Sequence, residues 1–274
     1  MFNDIIMYSN ISPRVNHRSV VYNNKLYIVM GSDITTRHSN YYVTNNGREW
    51  ILHNKLNCDG NQITARESFG IIEHNGSVYL MGGWNGSTYF NDVYVSKNMV
   101  NWTKLPDASW SARYGFVALS FDNKIWVIGG KNSASNLNDI WYSTDGVNWR
   151  QKENAPWATR QYAAGIVFNN AMYVVGGNGT TRYNDVYYSY DGKDWVRQES
   201  NANFSARHSH ALTVFNNKLI LTGGYISDTG VSNELYYTYT GNNWILGQYI
   251  GANIRGHTCD SFNNALYITG GSTT

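Results

Sequence analysis

An all-β fold of six repeated units is what the sequence predicts, and three observations predict it. Glycine pairs recur at Gly82-Gly83, Gly129-Gly130, Gly176-Gly177, Gly223-Gly224 and Gly270-Gly271, each 47 residues after the last, and Met30-Gly31 fills the same place 52 residues before the first of these. An arginine precedes each pair (Arg14, Arg66, Arg113, Arg160, Arg207, Arg255), and tryptophans follow at Trp50, Trp102, Trp149, Trp195 and Trp244. Between these landmarks lie short β-branched and aromatic runs bounded by Asn/Asp/Gly turns, with no sustained helical period.

Each unit reads in the same order. An S/T/A-x-Arg start leads into an apolar first strand, as in SARYGFVALS. A turn such as FDNK or FNNK follows, and the second strand ends at the glycine pair, as in KIWVIGG and AMYVVGG. After a polar loop the third strand opens with Asn-Asp (NDVYVS, NDIWYS, NDVYYS), and a tight turn (TDG, YDG, TGN) gives a fourth strand carrying the tryptophan. Four short antiparallel strands, six times over, is the arithmetic of a β-propeller.

The order arginine, apolar strand, Gly-Gly, Asn-Asp, aromatic strand, tryptophan resembles the kelch repeat, in copies that cover nearly the whole chain. The resemblance implies one six-bladed propeller domain over residues 1–274, with blades at 14–54, 66–106, 113–153, 160–199, 207–248 and 255–274 plus 1–9. The last unit stops before its third strand, and MFNDIIMYS at the other end supplies an Asn-Asp strand to complete it. No tryptophan follows before Arg14, so the closing blade is expected to have three strands and an open outer edge.

Composition narrows the function. Net charge is +2, from 21 basic and 19 acidic residues, so neither nucleic acid nor a membrane surface is an expected partner. No apolar run is long enough to span a bilayer, and MFNDIIMYSN lacks the form of a signal peptide, so a cytoplasmic location is expected, or a secreted one if an export signal has been removed. Cys58 and Cys259 lie in different units and are expected to be free thiols. A monomer is expected.

Kelch resemblance places the loop before the first strand and the loop after the glycine pair on one face, around the mouth of a central channel. Both positions vary between repeats. The residue after the pair is Ser32, Trp84, Lys131, Asn178, Tyr225 or Ser272, and the residue after the arginine is Val15, Glu67, Tyr114, Gln161, His208 or Gly256. Candidate ligand-binding residues are Trp84, Tyr89, Tyr114, Tyr162, Arg182, Tyr183, His208 and Tyr225, with Arg113, Arg160 and Arg207 from the arginine ring. The other loop residues include Asp33, Arg37, His38 and Asp228, and Glu67, Glu73 and Asp260 are the inner-strand carboxylates. Three residues after the arginines stand His17, Phe69, Phe116, Ala163 and His210, with His257 equivalent after a one-residue deletion. Alternation along a strand points this position into the channel, where His17, His210 and His257 are candidate ligands of a metal ion.

Two classes of function follow. Aromatic planes interleaved with amide and guanidinium donors suit a binding module for a protein, a peptide or a glycan, without a cofactor. The alternative is an enzyme, since kelch-type enzymes include sialic-acid mutarotases and metal-dependent catalysts. A mutarotase-like site needs an acid–base group beside an arginine, whereas a metal enzyme needs the histidines.

Overall fold

The computed structural model describes residues 5–7, 11–33, 35–226 and 230–274. Among them every named element is a β-strand, and no helix is long and apolar enough to cross a membrane. The third repeat shows the pattern: Val117–Phe121, Lys124–Lys131, Asn136–Ser143 and Arg150–Gln151 form an antiparallel meander. The first, second, fourth and fifth repeats build the same core.

Local sequence explains the strand ends. The first hairpin of each repeat turns on two residues in the left-handed region, such as Asn23-Asn24 (φ 48° and 55°) and Asn169-Asn170 (φ 47° and 57°). A two-residue turn with both φ positive matches the twist of the paired strands, and Asn tolerates it best after Gly. At the glycine pair the register of the second and third strands shifts, for instance between Ile128 and Gly130. Gly130 has φ 95°, and a Cβ there would stand 2.8 Å from the Tyr114 carbonyl oxygen, so the bulge brings the second strand against the start of the first.

The sheets stand as propeller blades around an axis. The inner strands neighbour one another in chain order, and Thr258–Phe262 lies beside both Ala211–Phe215 and Arg18–Tyr22. A circuit of backbone hydrogen bonds runs over their mouth ends. The N–H of Ser68 donates to Asn16, Gly115 to Ser68, Tyr162 to Gly115, Ser209 to Tyr162, Gly256 to Ser209 and Asn16 to Gly256, at 2.7–3.1 Å. All these residues have φ between 54° and 62°. Apolar side chains fill the spaces between blades, and Leu26, Phe262, Ala265 and Tyr267, with Trp50 against them, join the first sheet to the last.

Two features differ from expectation. Ile5–Met7 does pair with Ala265–Thr269, giving a three-stranded sheet, but the pairing is parallel. It therefore runs opposite in direction to the third strand of the other repeats and is not its equivalent; Asn3, Asp4 and residues 8–10 lie outside the described residues. The longer first interval holds a small hairpin, Asn57–Cys58 with Asn61–Gln62, whose first strand pairs in parallel with Asn101–Leu105 on the outer edge of the second sheet.

Both cysteines are free and buried, and burial pushes the Cys259 thiol well above its ordinary pKa. Both are expected to react slowly with a thiol reagent in the folded protein. Two should be counted after denaturation without reductant; a count of zero at monomer mass contradicts this.

Candidate binding face

The ring of arginines belongs to the framework. Arg113 is fully buried and all five of its N–H groups are engaged: Nε with Ser111 O, Nη1 with Gly129 O and Asp139 Oδ1, Nη2 with Ser111 Oγ and Asp139 Oδ2. Arg66 and Arg160 hold Asp92 and Asp185 in the same fork, and Arg207 holds Glu234 at 2.7 Å. The acid of the Asn-Asp motif is thus the partner of the repeat's own arginine, and the carbonyl of the first glycine is its third contact. The preceding asparagine fixes the linker to the next repeat, as Asn138 does by donating to Ala155 O and Trp157 O. Arg113, Arg160 and Arg207 are buried and held by an acid of their own repeat, which places them in the framework rather than among the ligand-binding candidates.

Arg255 is the exception, and the alignment there needs correcting. It bridges to Ser272, as Val15 bridges to Ser32 and Tyr114 to Lys131, so it occupies the variable position. Ile254 takes the framework place: its carbonyl receives the Gly224 N–H, as the Arg160 carbonyl receives that of Gly130. His257 then falls three residues after Ile254, with no deletion, and Gly256 belongs to the backbone circuit rather than to the variable set.

The variable positions are cross-strand partners in every repeat: Val15 with Ser32, Glu67 with Trp84, Tyr114 with Lys131, Gln161 with Asn178, His208 with Tyr225 and Arg255 with Ser272. The aromatic side chains among them, Trp84, Tyr114, His208 and Tyr225, join with Tyr89 and Tyr162 into a continuous arc. Trp84 stacks on Tyr114 with centroids 5.9 Å apart, and Tyr89 lies 5.5 Å from Tyr114. Tyr114 meets Tyr162 edge-on at 5.6 Å, Tyr162 meets His208 at 5.9 Å, and His208 stacks on Tyr225 at 5.4 Å. Arginines close both ends: Arg37 lies 4.4 Å from the Trp84 ring centre, while Arg182 and Arg255 lie 4.7 Å and 5.7 Å from that of Tyr225. All of these side chains are half-buried. The predicted Trp84, Tyr89, Tyr114, Tyr162, Arg182, His208 and Tyr225 are thereby brought together. Tyr183 instead covers Arg160, at 4.1 Å, and supports the framework.

Charge is uneven along the arc. Arg37 pairs with Glu67 at 3.1 Å, and Glu67 also accepts from Ser32 Oγ and Asn16 Nδ2. Arg182 and Arg255 have no ion pair with a carboxylate side chain among the described residues; Asp228, in the neighbouring loop, lies outside them. Burial, with these two arginines nearby, pushes His208 down to about 4, so its imidazole is neutral at pH 7. Glu73 lies at the far end of its strand and caps a turn by accepting the Gly76 N–H at 2.7 Å. Arg37 and Arg255 entered the arc only with the structure. Trp84 faces Arg37 through a contact between repeats, and no local spacing encodes it.

His17, His210 and His257 do not converge. They are 0–6 % exposed, and each ring packs toward the first glycine of the preceding repeat's pair: Gly270, Gly176 and Gly223. Phe116 fills the same slot against Gly82, so the position serves packing between blades. His257 Nε2 meets Thr222 Oγ1 at 2.9 Å and His17 Nε2 meets Thr258 Oγ1 at 3.3 Å. No group of three His, Cys, Asp or Glu suited to a metal ion occurs among the described residues, which corrects the three-histidine reading.

Comparison with curated proteins returns no match. The family model described as the KLHDC2/KLHL20/DRC7 Kelch-repeats domain matches residues 16–224, more than half of the sequence, and the chain belongs to the kelch-repeat family.

Proposed function

We propose that the chain is a closed six-bladed kelch propeller whose loop face binds a protein partner through an extended peptide segment. Kelch domains mediate protein–protein interaction, and the observation that carries the reading here is the aromatic arc, to which every repeat contributes or lends a flanking arginine. Tyr, Trp and Arg dominate binding hot spots because they bury large areas at low entropic cost. The backbone circuit over the inner strands supports six blades in a closed ring. Arg182 and Arg255 favour a segment with a carboxylate at that end of the arc.

A glycan is the weaker reading. Sugar rings need an open aromatic face, whereas the Trp84 ring already has Tyr114 and Arg37 against it, and the Tyr225 ring has His208 and Arg182. The protein is read as a monomer that needs no cofactor for this binding.

The test is selection of binders from a random peptide library, followed by titration calorimetry. Trp84→Ala and Tyr225→Ala are each expected to weaken the selected peptide by roughly 1–3 kcal/mol without unfolding the protein. Arg182→Glu should select against acidic peptides. Affinity that stays unchanged in both alanine variants places the binding surface elsewhere.

A further inference from the structure

The channel beneath the arc has a chemistry that peptide binding on the loop face does not use. A cavity of about 230 Å³ follows the inner strands, and Arg18, Ser19, Tyr162 and Asp260 are among its lining residues. Liquid water occupies about 30 Å³ per molecule, so this space admits a small organic ligand.

Two opposite charges face that space without pairing. Asp260 Oδ1 accepts from Ser19 Oγ at 2.7 Å, but the buried Oδ2 has no hydrogen-bond partner among the described residues. Arg18 donates to its own neighbour, the His17 carbonyl, at 3.2 Å, and makes no ion pair with a described carboxylate. A buried carboxylate oxygen without a donor is costly, and such groups normally have partners, while Arg18 has only a neighbouring carbonyl to share its charge. Burial acts on both: it pushes Asp260 up to about 6 and Arg18 downward.

Their placement gives the cavity a direction. Arg18–Tyr22 and Thr258–Phe262 are adjacent inner strands that begin at the mouth. Arg18 opens its strand, whereas Asp260 stands two residues into the other, about 6–7 Å deeper. The Arg18 charge also acts on the Tyr162 hydroxyl. Tyr162 itself holds φ 54°, a conformation costly for an aromatic residue, at a place where other repeats have Asn, Ser or Gly. From there its hydroxyl reaches Ser68 Oγ, two repeats away, at 3.3 Å, so the side chain lies across the mouth.

We propose that this channel is a binding site for a small zwitterion, a short amino acid whose carboxylate meets Arg18 near the mouth and whose ammonium meets Asp260 Oδ2 below. Tyr162 covers the bound molecule. A simple anion satisfies only Arg18 and a simple amine only Asp260, so the ligand class is set by the pair.

Glycine, β-alanine and γ-aminobutyrate are the probes, with acetate and ethylammonium as single-charge controls, measured by calorimetry and ligand-detected NMR on the full chain. One amino acid should bind at least about tenfold more tightly than either control. Arg18→Gln and Asp260→Asn should each weaken it about tenfold or more, and Tyr162→Gly should speed its exchange. Should a variant fail to fold, intermolecular NOEs in the unaltered protein decide, since the ligand must touch cavity-lining methyl groups such as those of Ala118 and Ala164, which the arc does not include. Equal binding of acetate and the amino acids, no binding at all, or NOEs only to the outer arc overturns the proposal. Arg18 and Asp260 lie outside the arc, so Arg18→Gln and Asp260→Asn should leave peptide affinity unchanged, and the two readings fail separately.

Discussion

Arg113→Ala is expected to destabilise the protein by roughly 3–5 kcal/mol, the cost of removing one partner of a buried ion pair. Asp139 would keep its charge in a site only 17 % exposed, facing a void, and the Gly129 carbonyl would lose its donor. Arg113→Lys should recover little, because an ammonium cannot reproduce the two-pronged contact with Asp139. Arg255→Ala is the control. It stands one residue outside the framework register, and its removal should change stability by under about 1 kcal/mol. Chemical denaturation of the variants measures both. Equal losses at the two positions would show that Arg255 is a framework arginine after all and that the corrected alignment is wrong.

Acid should unfold the protein through its interblade histidines. Burial holds His257 down to about 4 and keeps His17 and His210 well below their ordinary value of 6.5. A lowered folded-state pKa means that the unfolded chain binds the proton first. Stability is therefore complete above about pH 6.5 and is lost as pH falls toward 4, by up to about 3 kcal/mol for His257. Asp260 acts in the opposite sense: its raised value means that protonation below about pH 6 relieves a cost, which offsets about one histidine. The net effect of three histidines against one carboxylate is loss. Urea midpoints measured between pH 7.5 and 4 should fall, and His210→Phe should flatten the curve, because Phe69 and Phe116 already fill this position. A midpoint that holds steady down to pH 4 contradicts the burial of neutral imidazoles.

The repeat was legible because its landmarks are backbone demands. Left-handed turns and a close-packed bulge need Asn and Gly, and those residues stand out at a fixed interval in the sequence. The aromatic arc was legible for the opposite reason: Trp84, Tyr114, His208 and Tyr225 occupy positions the framework leaves free, so their variation between repeats was itself the signal. What misled was composition read without register. Arg255 looks like Arg207 until the Gly224 N–H is seen to bond Ile254. His17, His210 and His257 look like a metal set until each ring is found against a neighbouring glycine, a contact between repeats that strand alternation cannot reveal. The direction of Ile5–Met7 has no sequence signal, since a three-residue strand pairs equally well by pattern either way. Arg18 and Asp260 share a cavity only because the last inner strand returns beside the first.

The most direct measurement of the central claim is a hydrogen-exchange footprint of a library-selected peptide on the full chain. Exchange should slow in the segments that carry the arc, around Trp84–Tyr89, Tyr114, Tyr162, His208 and Tyr225, with the turns at Asn123, Asn170 and Asn217, at the other ends of the inner strands, unchanged. Protection confined to those turns or to the outer strand edges would contradict it.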